Sequence, residues 1–169
     1  MRPGRADYPE PVQRRSLALA LALVALTAAS CGGGGSKQLS KSEYETQVGA
    51  ILRPLQEKTL PEVVAISPAE PKRAVNRLKE VEHALHDASS KLASMKPPGD
   101  AAGPTGAIAD AIGKIGDEVT AIRKDAEGGN FLKLEQFKLR VASDPAVGQI
   151  RDAIVQLVNL GYNIAGAGA

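Results

Sequence analysis

Residues 71–95 read PKRAVNRLKEVEHALHDASSKLASM, and their spacing decides the fold. Ala74, Leu78, Val81, Leu85, Ala88, Leu92 and Met95 recur at alternating intervals of four and three. That rhythm lays one apolar seam along a helix, the pattern used to pack against other helices. Lys72, Arg73, Arg77, Lys79, Glu80, Glu82, Asp87 and Lys91 fill the remaining face. Lys96-Pro97-Pro98-Gly99-Asp100 then stops the helix, because proline disfavours helical geometry in the residue before it.

The same grammar extends outward in both directions. Downstream, Ile108, Ile112, Ile115, Val119, Ile122 and Ala126 predict a helix over about 101–127. Gly106, Gly113 and Gly116 lower its intrinsic helicity; they can permit close approach of a neighbouring helix, though soluble helices also tolerate such glycines without special purpose. Gly128-Gly129-Asn130 ends that helix and caps a shorter one over 131–142, carrying Phe131, Leu134, Phe137 and Val141. Asp144-Pro145 opens the last helix, with Asp144 as cap and Pro145 in the first position. Its stripe is Val147, Ile150, Ile154 and Leu157, and Gly161 ends it. Residues 165–169 read as a frayed, disordered tail.

Upstream, Ser40-Lys41-Ser42-Glu43 is a capping box, with Leu39 and Tyr44 spaced as a hydrophobic staple. The helix it starts carries Tyr44, Val48, Ile51, Leu52 and Leu55. Pro54 is expected to kink or interrupt it, since the ring removes a donor and clashes with the preceding turn. Pro61 and Pro68 are expected to close off a short segment holding Val63, Val64 and Ile66. No alternating strand pattern occurs. The expected fold is all-α: an up-down bundle of four longer helices plus one short helix over 39–164, the short connections favouring antiparallel neighbours.

The N-terminus reads as an address. The chain has 169 residues and a formal charge of +2, and that surplus lies entirely within residues 1–30. There Arg2, Arg5, Arg14 and Arg15 stand against Asp7 and Glu10, while residues 31–169 hold 17 basic and 17 acidic groups. A balanced body excludes a basic nucleic-acid-binding surface. Aromatic residues are 3% with no Trp, which argues against base-stacking platforms and aromatic ligand cages. After Arg14-Arg15 comes an uncharged run from Ser16 to Ala29. At about 14 residues it is a signal-peptide core, short of the ~20 a spanning helix needs. Ala28-Ala29-Ser30 then meets Cys31, the one cysteine in the chain.

That order resembles a bacterial lipobox, with Ala28 standing where Leu is common. The resemblance implies that residues 1–30 are a signal peptide. It also implies that Cys31 is the lipidated new N-terminus, bearing diacylglycerol and palmitate-type chains. Arg14-Arg15-Ser16-Leu17 is similar to part of a twin-arginine export signal, although the full motif is absent. Gly32-Gly33-Gly34-Gly35-Ser36 comes next as a tether. Over 31–38 its root-mean-square reach is roughly 15 Å. A single cysteine allows no intrachain disulfide, so an exported domain of this kind must rely on its core.

Candidate chemistry is sparse. His83 and His86 are the only histidines, in Glu80-Val81-Glu82-His83-Ala84-Leu85-His86-Asp87. Glu80/His83 and His83/His86 share the i, i+3 spacing that could present metal ligands together. A bundle di-iron site uses Glu-x-x-His on two helices, and only one such motif is present. The heptad register places both histidines off the Leu78/Val81/Leu85 seam, facing water. No nucleophile elbow, Ser-x-x-Lys set or phosphate-cradling loop occurs. No cofactor and no enzymatic activity are expected. The segment Phe131–Val141 carries three basic groups against one acid. It is expected to cover one end of the bundle, with a membrane surface or a partner as the other reading.

Taken together, Ala28-Ala29-Ser30-Cys31-Gly32, Leu39-Ser40-Lys41-Ser42-Glu43-Tyr44, Met95-Lys96-Pro97-Pro98 and Leu160-Gly161-Tyr162-Asn163-Ile164 resemble the short helical lipoproteins of high-GC Gram-positive (actinobacterial-type) bacteria. The resemblance implies a protein on the extracytoplasmic face of the cell membrane, anchored through Cys31, with a helical fold and no catalytic signature. The expected role is a binding or interaction module for a protein or small ligand. The alternatives are a metal sensor or carrier using His83 and His86 with Glu80 or Asp87, and a structural spacer of the envelope.

Overall fold

The computed structural model describes residues 37–164. The expected signal peptide, Cys31, most of the tether and the 165–169 tail lie outside the described residues. All regular structure among the described residues is helical, and no strand occurs there. Gly35–Ala169 forms one compact unit by its own contacts, and the core from Tyr44 to Ile164 closes within it. That unit encloses its own hydrophobic core.

Helix α1 spans Lys41–Pro54 and begins at the expected capping box. Ser40 Oγ accepts from the Glu43 N–H, and the Ser40 N–H donates to Glu43 Oε2 at 2.9 Å. The Ser40 hydroxyl also donates to Glu43 Oε2 at 2.6 Å, and this bond, followed by that from the Ser40 N–H, holds the exposed Glu43 carboxyl below its ordinary range. At Pro54 the α pattern gives way, as its ring requires, but the chain keeps turning. Leu55–Thr59 forms a π turn in which the Leu60 N–H reaches back five residues to the Leu55 carbonyl. Helix α2, Leu60–Ala65, begins directly after it. Pro61 thus lies inside continuous helical structure, rather than closing it off as its sequence suggests. The ring of Pro61 would crowd the Glu57 carbonyl in a regular α-helix, and the widened π turn occupies that very stretch.

Helix α3, Pro71–Ser94, buries Ala74, Leu78, Val81, Leu85, Ala88 and Leu92, all six on the expected seam. A 3₁₀ turn over Gly99–Ala101 leads into α4, Ala102–Glu127, whose stripe from Ile108 to Ala126 is buried as expected. Gly129 takes a φ of +83°, a region open to residues without a Cβ, and reverses the chain. Asn130 Oδ1 then accepts from the Leu132 N–H at 3.1 Å. The short helix α5 runs over Leu132–Arg140 and tightens into a 3₁₀ turn at Val141–Ser143, so it is shorter than its sequence span. Asp144 caps α6, Pro145–Asn159, by accepting from the Ala146 N–H at 2.8 Å, and Pro145 occupies the first turn.

Side-chain pairs fix the helix directions. Glu82 with Arg123, His86 with Thr120, and Ser89 with the Ala109 carbonyl set α3 against α4 in opposite senses. Arg140, just before α6, pairs with Glu118, Gln149 with Lys114, and Tyr162 with Asp100, so α6 also opposes α4. Helix α1 runs with α4, since Tyr44 meets Thr105 at its start. Both ends of the body therefore come together. The Leu39 N–H donates to the Lys96 carbonyl at 2.9 Å, and the Asn163 N–H to Glu45 at 2.8 Å. The opposite end is closed by α5, where Phe137 and Leu134 are fully buried and the Lys138 ammonium donates to the Ile66 carbonyl.

Candidate functional site

Among the described residues, the seam between α1 and α6 is left incompletely filled over an apolar floor. Helix α6 packs chiefly on α4, and α1 on α3. At the end where the body starts, α1 and the segment after α6 are locked together by Tyr44 and Tyr162. Their rings meet edge to face at 5.2 Å, with the Lys41 ammonium over the Tyr162 ring. Burial, followed by a 2.6 Å hydrogen bond to the Asp100 carboxylate, pushes the Tyr162 phenol up to about 12. Burial likewise raises Tyr44.

Beyond this lock α1 reaches Pro54 and widens into the π turn, and a cleft of about 250 Å³ opens between it and α6. Leu52, Leu85, Ile112, Ile115 and Ile154 form the floor, which comes from four helices. The opening is visible in their exposure: Leu85 and Ile115 keep 4%, whereas Leu78 and Val119 one or two turns away are sealed at 0%. Leu55 and Leu60, on either flank of the π turn, form one wall; Val147 and Ile150 form the other. The π turn shapes the first wall directly. An extra residue in one turn rotates the next stretch of helix, which places Leu60 beside Leu55 at the mouth.

Two polar side chains stand among the lining residues, the Gln56 amide and the Arg151 guanidinium. Arg73, Arg77, Arg123 and Arg140 each have a carboxylate within 4.0 Å. Arg151, like Arg53 on α1, has no such partner among the described residues; of these two, Arg151 alone lines the cleft. The lining offers no nucleophile, acid or base. Its chemistry is that of binding: an apolar floor with one cation and one amide at the rim, the composition of small-molecule pockets in general.

Other recesses are less suited. A hollow of about 230 Å³ at the start of α3 holds Arg73, Arg77 and Ser67. Its arginines are already paired with Glu70 at 3.0 Å and Glu62 at 3.8 Å.

The two histidines separate. His83 is exposed as its register indicates. His86, expected to face water, instead lies half-buried against α4. A Cβ on Gly116 would come within 3.0 Å of its ring, and its Nε2 is 3.4 Å from Thr120 Oγ1 and 3.9 Å from Asp117. The missing Cβ is what admits the imidazole. Gly113 similarly accommodates Ser89, but Gly106 faces open space and admits nothing. No group of three or more His, Cys, Asp or Glu side chains poised to hold a metal occurs among the described residues. No helix among them is long and apolar enough to cross a membrane.

No family model, curated protein or solved structure matches this chain. The cleft was not legible in the sequence, because each of its residues looks like ordinary core on its own helix. The prolines at 54 and 61 were the one local signal of it.

Proposed function

We propose that the protein is a lipid-anchored binding module on the extracytoplasmic face of the cell membrane. In this reading Cys31 carries the lipid and the Gly/Ser tether holds a four-helix up-down bundle clear of the bilayer. The cleft between α1 and α6 receives a small apolar ligand. The observation that carries the binding role is the cleft itself, an apolar recess beside a π turn, a distortion found often at functional sites. The location rests on Arg14-Arg15, the apolar run to Ala29, the lone Cys31 and the lipoprotein resemblance. A body of balanced charge has no bulk attraction for nucleic acid or anionic lipid, so membrane retention falls to the acyl chains.

Metabolic labelling with an alkyne fatty acid tests the anchor. Wild type incorporates label and sediments with membranes, and Cys31→Ala does neither. Equal labelling and retention in the variant would refute the anchor.

A further inference from the structure

We infer that the cleft takes a single-chain amphiphile whose anionic, carboxylate-type head lies on Arg151. This inference rests on the binding reading above and adds the ligand's chemistry and orientation. The floor formed by Leu52, Leu85, Ile112, Ile115 and Ile154 offers no hydrogen-bond partner, so whatever enters it is apolar. A volume of about 250 Å³ accommodates about eight groups of ~30 Å³ each, the share of a water molecule in the liquid. That is one short chain or the end of a longer one. A helix about 10 Å across has no room there.

The rim fixes the other end of the ligand. Arg151 is the one charged residue of the lining, and Gln56, in the π turn after α1, is its other polar residue. A guanidinium presents a planar fork that matches a carboxylate bidentately, and Gln56 offers an amide N–H to the same head. No carboxylate of the described residues competes for Arg151 within 4.0 Å, in contrast to Arg73, Arg77, Arg123 and Arg140. The tail descends toward Ile112 and Ile115 while the head stays in water at the mouth. That arrangement desolvates the chain and leaves the charge hydrated.

The test uses residues 37–169 labelled at Ile, Leu and Val methyls, titrated with octanoate, octanol and octylamine and followed by NMR. Octanoate is expected to shift the Ile112, Ile115 and Ile154 methyls and to bind about fivefold tighter than octanol. Arg151→Gln is expected to remove that preference while leaving octanol affinity unchanged, and added salt weakens octanoate alone. Val147→Trp, filling the mouth, is expected to abolish binding of both, with unchanged circular dichroism confirming the fold. Equal binding of octanoate and octanol, tighter binding of octylamine, or an Arg151→Gln variant that keeps the preference would overturn the head-group assignment while sparing the cleft. Absence of binding by all three, or binding that survives Val147→Trp, would overturn both.

Discussion

The hydroxyls of Tyr44 and Thr105 lie 2.7 Å apart inside the core, 61 residues apart in sequence. Thr105 spends its own proton on the Ala101 carbonyl at 2.6 Å, so Tyr44 must be the donor to Thr105. The chain of bonds thus has a direction, from α1 to α4 and on to the turn before it.

This direction makes the two halves of the pair unequal. Tyr44→Phe removes a donor and leaves no orphaned proton, at about 1 kcal/mol. Thr105→Val strands the Tyr44 hydroxyl in the core, at about 2–3 kcal/mol. The double variant is expected to recover part of the second loss. Urea unfolding followed by circular dichroism measures all three.

The glycines of α4 should respond differently to alanine. Gly106 meets nothing within 4 Å, so Gly106→Ala gains helix propensity of about 1 kcal/mol. At Gly113 the new methyl would press on Ser89 Oγ at 3.1 Å, which is held at 2.8 Å by the Ala109 carbonyl. That crowding is expected to cancel the gain. At Gly116 the half-exposed His86 ring can swing aside, so Gly116→Ala is at worst neutral and loses the Thr120 contact. Thermal melts rank them, and the His86 imidazole resonances report the displacement.

Alkaline stability should fall in a defined window. The folded body keeps the Tyr162 proton until about 12, through burial and the Asp100 bond, while the unfolded chain releases it near 10.0. Between those values the unfolded state binds fewer protons, so stability declines as pH rises. Tyr162→Phe should flatten that decline. Absorbance at 295 nm should show both Tyr44 and Tyr162 ionising late.

The acid side has its own reporter. Arg123 holds the Glu82 carboxyl below the ordinary 4.5, with its hydrogen bond as the leading cause. The unfolded chain therefore takes up this proton first on acidification, and the stabilisation is lost as pH falls below about 4.5. The difference between wild type and Glu82→Gln should be constant above that pH and shrink beneath it. Denaturant midpoints across pH 3–7 would show a flat difference if the pair did not matter.

Much of the fold is written in short-range signals. The α3 seam, the Ser40/Glu43 box, the Asp144-Pro145 start and the Gly129 reversal are each set within one or two turns, where spacing and capping chemistry act. The features that escape sequence reading depend on residues far apart. Pro61 stays in a helix because a π turn relieves the turn before it. His86 packs half-buried against α4 because Gly116, thirty positions away, lacks a side chain. The cleft is assembled from four helices, and Arg151 becomes conspicuous only once the lining is complete, as its one charged residue.

The meeting of Leu39 with Lys96 and of Asn163 with Glu45 turns the body into a ruler. A fluorophore placed after Ile164 sits beside the point where the tether joins. One inserted at Gly128-Gly129-Asn130 sits at the far end of α4, about 40 Å away for 26 residues at ~1.5 Å each. On the proposed Cys31 anchor, lipid-borne quenchers should dim the first label and spare the second. The cleft, floored by Ile112 and Ile115 near the middle of α4, lies about halfway along that scale.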